Sequence, residues 1–168
     1  MMGLADVLDY LPLDHPKRNE LITIYRHLAD TLLKFKDEKT GVWYQVIDQG
    51  DRGRNYLESS GSCMFVYCFA KGVNQGYLDR RFAALADQSF QGIIKEFVAT
   101  DANGLVDLNG TCKSAGLGGV PYRDGSFEYY ISETPRKNDM KGIGPFLLAA
   151  IELEKMNAVS HHETQGQK

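Results

Sequence analysis

The stretch from Asn55 to Gly72, NYLESSGSCMFVYCFAKG, constrains the fold more than any other segment. Every residue from Cys63 to Ala70 is apolar, so a helix formed here has no polar side. Such a helix has to be covered by protein all round. Its first turn is different, because it carries four polar side chains: Glu58, Ser59, Ser60 and Ser62. The sequence therefore predicts an interior helix with a polar cluster at its N-terminal end.

A one-sided helix precedes this interior helix. The segment Asp14-His15-Pro16 predicts a helix start, with an Asp cap and a proline in the first turn. Apolar residues then recur at steps of three and four: Leu21, Tyr25, Leu28, Leu32 and Phe35. This spacing is typical of an amphipathic helix. It is expected to end near Asp37 and to be followed by a short extended stretch at Val42–Ile47.

The same order of elements occurs again about sixty residues later. A second amphipathic pattern covers Phe82 to Phe97, and a turn with a short extended stretch follows at Gly104–Leu108. A long loop, Asn109 to Asn138, leads to a second apolar helix, GIGPFLLAAIELEK. A period of this size indicates stacked helical units. One-sided helices lie outside such a stack and helices that are apolar all round lie inside, which predicts an α/α toroid.

The repeat register predicts an incomplete ring. Residues Leu4–Leu11 look like the end of one more inner helix that has no outer partner. We therefore expect an all-α domain of about two and a half helical hairpins over residues 1–156. A polar tail, residues 157–168, is expected to be disordered. Because an incomplete toroid exposes apolar edges at both ends, the pattern also predicts self-association.

Composition and charge exclude several classes of function. At 168 residues the chain is long enough for one domain, and its net charge is −3. Basic residues are scattered, so nothing indicates a nucleic-acid partner. No apolar run approaches the roughly 20 residues of a membrane span. The N-terminus lacks the pattern of a secretory signal, which predicts a cytoplasmic location.

No motif predicts a metal or an organic cofactor. The cysteines are three in number, Cys63, Cys68 and Cys112, without CxxC spacing, which favours free thiols over a disulfide framework or a zinc site. The loop NGTCKSAGLGG lacks the strand-GxxxxGKS-helix frame of a nucleotide site. His161-His162 lies in the polar tail and is not expected to be a metal pair.

Three segments occur in a family-specific order: GVWYQVIDQ, NYLESSGSCMFVYCFAKGVNQGYLD and YRDGSFEYYISETPRKNDMKGIGPFLLAAIELE. From about Leu4 to Glu154 the chain closely resembles the C-terminal half of the unsaturated rhamnogalacturonyl hydrolases, glycoside hydrolase family 105. The resemblance implies a fold of the (α/α)6-barrel type, present here as an incomplete barrel. It also implies an activity that releases unsaturated uronic acid from pectin fragments left by polysaccharide lyases.

The resemblance places the chemistry outside this sequence. Members of that family hydrate the C4–C5 double bond of the sugar with one carboxylic acid, which must hold its proton near neutral pH. The aspartate assigned to this role, and an Arg-Gly-Asn-Gly-Trp motif, lie in the N-terminal half. We therefore assign no catalytic residue here and expect a truncated or split product that is inactive alone. Its partner would be an N-terminal half or a second copy that completes the barrel.

Candidate ligand-binding residues follow from the chemistry of an acidic sugar. Aromatic rings stack on sugar faces, and cationic or hydroxyl groups bind the carboxylate. The N-terminal end of the inner helix adds free backbone N–H groups that suit an anion. The candidates are Trp43, Tyr56, Glu58, Ser60, Lys113, Arg123, Asp124 and Tyr129. The expected ligand is an unsaturated uronide oligosaccharide.

Structural alternatives stand beside several of these assignments. Trp43 falls in a strand-like stretch and suits core packing equally well. Glu58 suits a helix cap, where the helix dipole stabilises its ionised form. Asp124 precedes Gly125 and suits a turn. Tyr129 belongs to a segment whose alternation predicts that one of two neighbouring tyrosines faces inward. Two functions stay open: a half-barrel derived from a hydrolase, and a non-catalytic carbohydrate-binding or self-assembling half-barrel.

Overall fold

The chain folds as a mostly helical α/α toroid segment of the (α/α)6-barrel type, as predicted. The computed structural model describes the backbone of residues 1–165 and the side chains of residues 1–158. Its helices are α1 (Met2–Tyr10), α2 (Arg18–Leu33), α3 (Ser59–Asn74), α4 (Arg81–Phe97), α5 (Phe127–Ser132) and α6 (Met140–Gln165). Short strands form two antiparallel pairs: β1 (Val98–Thr100) with β2 (Val106–Leu108), and β3 (Thr111–Cys112) with β4 (Pro135–Arg136).

Helices α1, α3 and α6 form the inner layer, with α3 in the middle. On one side of α3, Lys71 contacts Asp9 of α1 at 2.7 Å. On the other side, Asn74 Nδ2 donates to Glu152 Oε2 of α6 at 2.8 Å. Each contact places the C-terminal end of α3 well past the start of the neighbouring helix, near Asp9 of α1 and Glu152 of α6. The three inner helices therefore run parallel. Helices α2 and α4 cover them from outside.

Helix α3 is buried all round, as its apolar sequence predicts. Trp43, Phe65, Phe69 and Phe82 form an aromatic cluster along it, with ring centroids 5.2–6.0 Å apart for the neighbouring pairs. Tyr25 of α2 donates its hydroxyl to the Cys68 carbonyl at 2.5 Å. The three cysteines are free thiols, as predicted. Burial raises the pKa of Cys63 and Cys68 to about 12, so both stay neutral.

Helix α6 exposes an apolar edge, in line with the expectation that an incomplete toroid has one at each end. Ala149, Leu153 and Met156 face the core, whereas Leu147 and Ile151 are about half exposed. No described element covers this side of α6. The apolar residues on this side therefore have no packing partner among the described residues.

Several local predictions need correction. Asp14 does not cap α2, which begins at Arg18 after two turns and has Lys17 at its N-cap without a capping side-chain hydrogen bond. Val42–Ile47 forms one isolated bridge, Tyr44 with Leu57, and no strand. The extended stretch near Gly104–Leu108 is confirmed as β2. The segment around Tyr129 is helix α5, so its side chains do not follow the alternation read from the sequence; Ser126 caps the helix by accepting from the Tyr129 N–H.

The end of α6 overlaps the segment predicted to be a polar tail. The backbone of α6 continues to Gln165, through the segment expected to be a tail. The side chains of His161-His162 lie outside the described residues. Among the described helices, none is both long and apolar enough to cross a bilayer.

Candidate functional site

A cavity of about 360 Å³ opens at the N-terminal ends of α3 and α6. Its size lies at the lower end of the range for small-ligand sites. The side chains that line it are mostly polar or small: Gln45, Glu58, Ser60, Met64, Cys112, Lys113, Ser114 and Lys141. This is the polar cluster that the sequence places at the mouth of the interior helix, joined by residues of the 109–138 loop.

Glu58 is the N-cap of α3, and both of its carboxylate oxygens are occupied by protein donors. Oε1 accepts from the Ser60 N–H at 3.2 Å, the Ser60 hydroxyl at 2.7 Å and the Cys112 N–H at 2.9 Å. Oε2 accepts from the Gly61 N–H at 2.6 Å. The residue is only 6% exposed. Glu58 therefore caps α3 and ties β3 to it, which is the structural alternative for this residue.

Close packing between the two helix ends shapes the cavity. The Ser59 and Thr111 hydroxyls lie 2.8 Å apart, and the Ser59 N–H donates to the Gly110 carbonyl at 3.0 Å. A Cβ on Gly142 would stand 2.2 Å from Thr111 Oγ1. Glycine at this position thus lets the start of α6 approach β3. The same packing brings Lys113, directly after β3, to the cavity that Lys141 lines from α6.

The cavity is suited to an anion. Lys113 is exposed, and Lys141 is half exposed with its Nζ 2.7 Å from Asp139. Glu58 is the one carboxylate of the described lining, and its oxygens are already engaged. Two cations and the Gln45 amide can therefore donate to a ligand, and no free carboxylate repels it. The Ser60 hydroxyl donates to Glu58 Oε1 and can accept a hydrogen bond from a ligand hydroxyl.

Tyr56 lies beside the cavity and supports its wall. Its hydroxyl donates to the Glu133 carbonyl at 2.9 Å, which joins the start of α3 to the end of α5. Burial, together with the neighbouring Cys112 thiol and Glu58 carboxylate, raises the pKa of Tyr56 well above its usual value. Gln45 Nε2 contacts the Cys112 sulfur at 3.3 Å. This arrangement keeps a neutral phenol locked against the 109–138 loop.

Trp43 lies in the core and offers no ring face to a sugar. It is 1% exposed, its indole N–H donates to the Leu32 carbonyl at 2.8 Å, and its ring meets Phe65 edge-to-face at 5.2 Å. The core-packing alternative describes this residue, because a fully enclosed ring cannot stack on a ligand.

Arg123, Asp124 and Tyr129 do not line the cavity. Arg123 donates from Nε to the Gly118 carbonyl at 2.8 Å and packs on Gly116, so it shapes its own loop. Asp124 accepts from the Ser126 N–H at 2.9 Å. That bond lowers the pKa of Asp124 and fixes the turn before α5. Tyr129 packs edge-to-face on Tyr130 at 5.4 Å.

The structure thus joins Ser60 and Lys113 at one cavity and adds a residue that the sequence reading missed. Lys141 occupies the first turn of α6, as Ser60 occupies the first turn of α3. The repeat register was a signal that could have identified it. No group of three or more His, Cys, Asp and Glu side chains suited to a metal occurs within the part of the chain that the structure describes.

The sequence matches the family model of Glycosyl Hydrolase Family 88 over residues 1–157. It is 34% identical over 157 residues to Protein Atu3128 of Agrobacterium fabrum and to a 24.9 kDa protein in the picA locus of Rhizobium radiobacter. Each match covers 90% of this chain and 66% of the relative. The chain therefore spans about two thirds of the length of these relatives.

Solved structures share the architecture. A family 105 glycoside hydrolase from C. acetobutylicum superposes with a TM-score of 0.90 at 49% identity, over 92% of this chain and 43% of that one. A possible family 105 member from Klebsiella pneumoniae gives 0.73 at 22% identity, over 94% and 37% of the two chains. At 22% identity, the second match supports the fold and nothing about function. In both, this chain corresponds to less than half of the solved protein.

Proposed function

The chain belongs to Glycosyl Hydrolase Family 88, and we propose that it forms one wall of a site for the unsaturated uronic acid at the end of a pectin-derived oligosaccharide. The observation that carries this proposal is the lysine-lined cavity at the N-terminal ends of α3 and α6. Lys113 and Lys141 would bind the sugar carboxylate, and Ser60 and Gln45 would bind its hydroxyls.

The reaction that fits such a ligand is hydration of the C4–C5 double bond. A carboxylic acid protonates the alkene, water adds to the adjacent carbon and gives its second proton to the carboxylate, and the resulting hemiketal opens and releases the rest of the oligosaccharide. A proton donor has to be uncharged and close to the sugar. Glu58 does not suit this role, because four hydrogen-bond donors bind its carboxylate and favour the ionised form. We propose no other described residue as the proton donor. The acid would therefore come from outside the described lining.

Binding tests the first part of the proposal. Titration of the full chain with an unsaturated galacturonyl disaccharide, followed by calorimetry, is expected to show saturable binding. A neutral disaccharide is expected not to bind. Lys113→Ala and Lys141→Ala should each weaken binding by about tenfold, since a hydrogen bond to a charged group contributes roughly 1.5–3 kcal/mol.

Lys95→Ala is the matched control. Lys95 is an exposed lysine on the outer helix α4, and its substitution removes the same charge far from the cavity. Equal losses in all three variants would indicate a general charge effect and contradict the assignment. Equal affinity for charged and neutral sugars would contradict it too.

Turnover tests the second part. Loss of ultraviolet absorbance reports disappearance of the double bond, and we expect little or none with this chain alone. Lack of a general acid typically costs about 10²–10⁴-fold in rate. Fast turnover that Glu58→Gln abolishes would place the acid in this chain and overturn the proposal.

A second candidate is a carbohydrate-binding half-barrel without catalysis. The engagement of Glu58 by four protein donors favours it, because the described cavity then binds without offering an acid. The two candidates differ when the missing wall is supplied. The separately expressed N-terminal half of a related family 105 hydrolase would restore turnover in the first case and leave it absent in the second.

A further inference from the structure

Glu58 is longer than the residues that usually cap a helix. Helix N-caps are mostly Ser, Thr, Asp and Asn, whose short side chains reach the backbone N–H groups two and three residues ahead. Glu58 makes these same two bonds, with the N–H groups of Ser60 and Gly61. Because an aspartate serves this purpose equally well, the capping of α3 does not explain why the residue is a glutamate.

The additional methylene lets the carboxylate reach a second segment. Glu58 Oε1 also accepts from the Cys112 N–H at 2.9 Å, at the end of β3. An aspartate at this position would draw the oxygen back by about 1.5 Å, the length of one carbon–carbon bond. The oxygen would then lie beyond hydrogen-bonding distance of that N–H. The bond between the start of α3 and β3 therefore requires a glutamate.

The segment that Glu58 holds leads directly to Lys113. Cys112 is the last residue of β3, and β4 pairs with the other edge of that strand. The backbone N–H groups of residues 113–117 donate no hydrogen bond within the described part of the chain. The bond from Cys112 to Glu58 is thus the last N–H bond that fixes the chain before Lys113, which lines the cavity.

Glu58 also orients a second group of the same cavity. The Ser60 hydroxyl donates to Glu58 Oε1 at 2.7 Å, so its oxygen is left to accept from a ligand. Ser60 belongs to α3 and Lys113 follows β3, and both line the cavity. One carboxylate therefore connects two walls of the candidate site.

We propose that Glu58 is a positioning residue, which holds Lys113 and Ser60 at the spacing that an anionic sugar requires. The inference rests on the proposed function, where these two residues bind the sugar carboxylate and hydroxyls. Glu58 is only 6% exposed and four protein donors bind its carboxylate, so it acts through its neighbours. The property that the site needs is the length of the side chain.

Glu58→Asp keeps the cap of α3 and loses the bond to Cys112. We expect the affinity for an unsaturated galacturonyl disaccharide to fall about tenfold in titration calorimetry, as for loss of the Lys113 contact itself. The melting temperature should change by less than about 2 °C, because water in the cavity replaces the carboxylate at the freed N–H. Glu152→Asp is the matched control. It shortens a buried glutamate that binds Asn74 near the other end of α3, and it should leave the affinity unchanged.

Glu58→Gln should have the opposite pattern. The glutamine oxygen can still accept from Cys112 and Ser60, but the amide group then faces the Gly61 N–H and weakens the cap. We expect the affinity to stay within about threefold of the wild type, whereas the melting temperature falls by about 2–4 °C. Equal changes of affinity in the aspartate and glutamine variants would contradict a role for the length of the side chain.

Hydrogen exchange of the free chain tests the bond without a ligand. In Glu58→Asp the Cys112 amide should exchange about tenfold faster than in the wild type, and the Gly61 amide should keep its protection. In Glu58→Gln the order should be reversed. Unchanged protection of the Cys112 amide in Glu58→Asp would overturn the inference.

A double-mutant cycle tests whether Glu58 acts through Lys113. In a Lys113→Ala chain, Glu58→Asp should change the affinity by less than about twofold. In a Lys141→Ala chain the full tenfold loss should remain, because Lys141 lies on α6. Additive losses with Lys113→Ala would overturn the inference. If the wild-type chain does not bind the sugar, the proposed function fails and this inference with it; if it binds and Glu58→Asp binds equally well, this inference alone fails.

Discussion

Helices α3 and α6 have similar apolar sequences and occupy the same layer, yet they differ in how they are covered. Helix α3 has α1 on one side, α6 on the other and both outer helices behind it, so even Ser59 and Ser62 are fully buried. Helix α6 has α3 on one side only, and Leu147 and Ile151 reach solvent. Burial of an inner helix therefore depends on its place in the ring as much as on its composition.

Helices α3 and α6 also differ in how much they contribute to the stability of the fold. Contacts around α3 enclose an aromatic cluster and a capped N-terminus and so define the fold of the segment. The uncovered side of α6 contributes little to the stability of the described chain. Substitutions at three places in the structure can break or sharpen this contrast.

The largest effect is expected at the centre of α3. Phe69 is fully buried against Trp43 and Phe82, so Phe69→Ala should lower the free energy of unfolding by about 3–5 kcal/mol through a core cavity. Leu147→Ala on α6 should cost less than about 1 kcal/mol at dilute concentration. Urea denaturation of both variants, followed by circular dichroism, measures the difference. Equal losses would show that α6 is covered as completely as α3.

A smaller effect is expected where α6 is covered. Gly142→Ala would place a Cβ against Thr111 Oγ1 and should cost about 1–3 kcal/mol by overpacking. It should also reduce ligand affinity, because β3 and Lys113 must shift. Gly53→Ala is the matched control, since a Cβ there meets nothing within 4 Å. Thermal unfolding and sugar titration give both readouts, and a neutral Gly142→Ala would contradict the close approach.

The smallest effect is expected at the ion pair between α1 and α3. Lys71 is buried and contacts Asp6 at 2.8 Å, and the Tyr67 hydroxyl also donates to Asp6. Burial opposes ionisation of Asp6, but these hydrogen bonds lower its pKa below the usual 3.8. Lys71→Met should lower the free energy of unfolding by only about 1 kcal/mol at neutral pH. The loss is small because both partners of Lys71, Asp6 and Asp9, are partly exposed to water.

The pH dependence of this pair has a definite sign. A lowered folded-state pKa means that Asp6 stabilises the fold above its unfolded-state pKa and loses this contribution as the pH falls through the folded value. The difference in unfolding free energy between the wild type and Lys71→Met should therefore shrink below about pH 4. A difference that stays constant from neutral pH to pH 2 would rule out the ion pair as its source.

Much of this architecture could be predicted from patterns along the chain. The all-round apolar run in α3, the one-sided patterns of α2 and α4, and the sixty-residue period define alternating layers without any tertiary information. The N-terminal end of α3 could also be predicted locally, because Glu58 precedes the apolar run in a position that suits a cap. Ser60 belongs to that cluster, and the structure brings Lys113 to the same cavity. Their roles in binding stay predictions.

Other features could not be derived in this way, because they depend on which segments meet. Nothing local distinguishes Trp43 in a core from Trp43 on a sugar, and its burial follows from contact with Leu32 and Phe65. In the loop from Asn109 to Asn138, β3 and β4 form because the two ends of the loop pair with each other, whereas α5 begins at a local cap, Ser126. Lys141 joins Lys113 only because Gly142 allows α6 to approach β3.

By itself the sequence determined the helices, their layers and the polar mouth of α3, since hydrophobic periodicity and capping act over a few residues. The tertiary structure alone decided that Glu58 is bound by four protein donors, that two lysines line one cavity, and that α3 is covered on all sides whereas one side of α6 is exposed. These depend on distances between residues far apart in the chain, and such distances are set only when the helices pack.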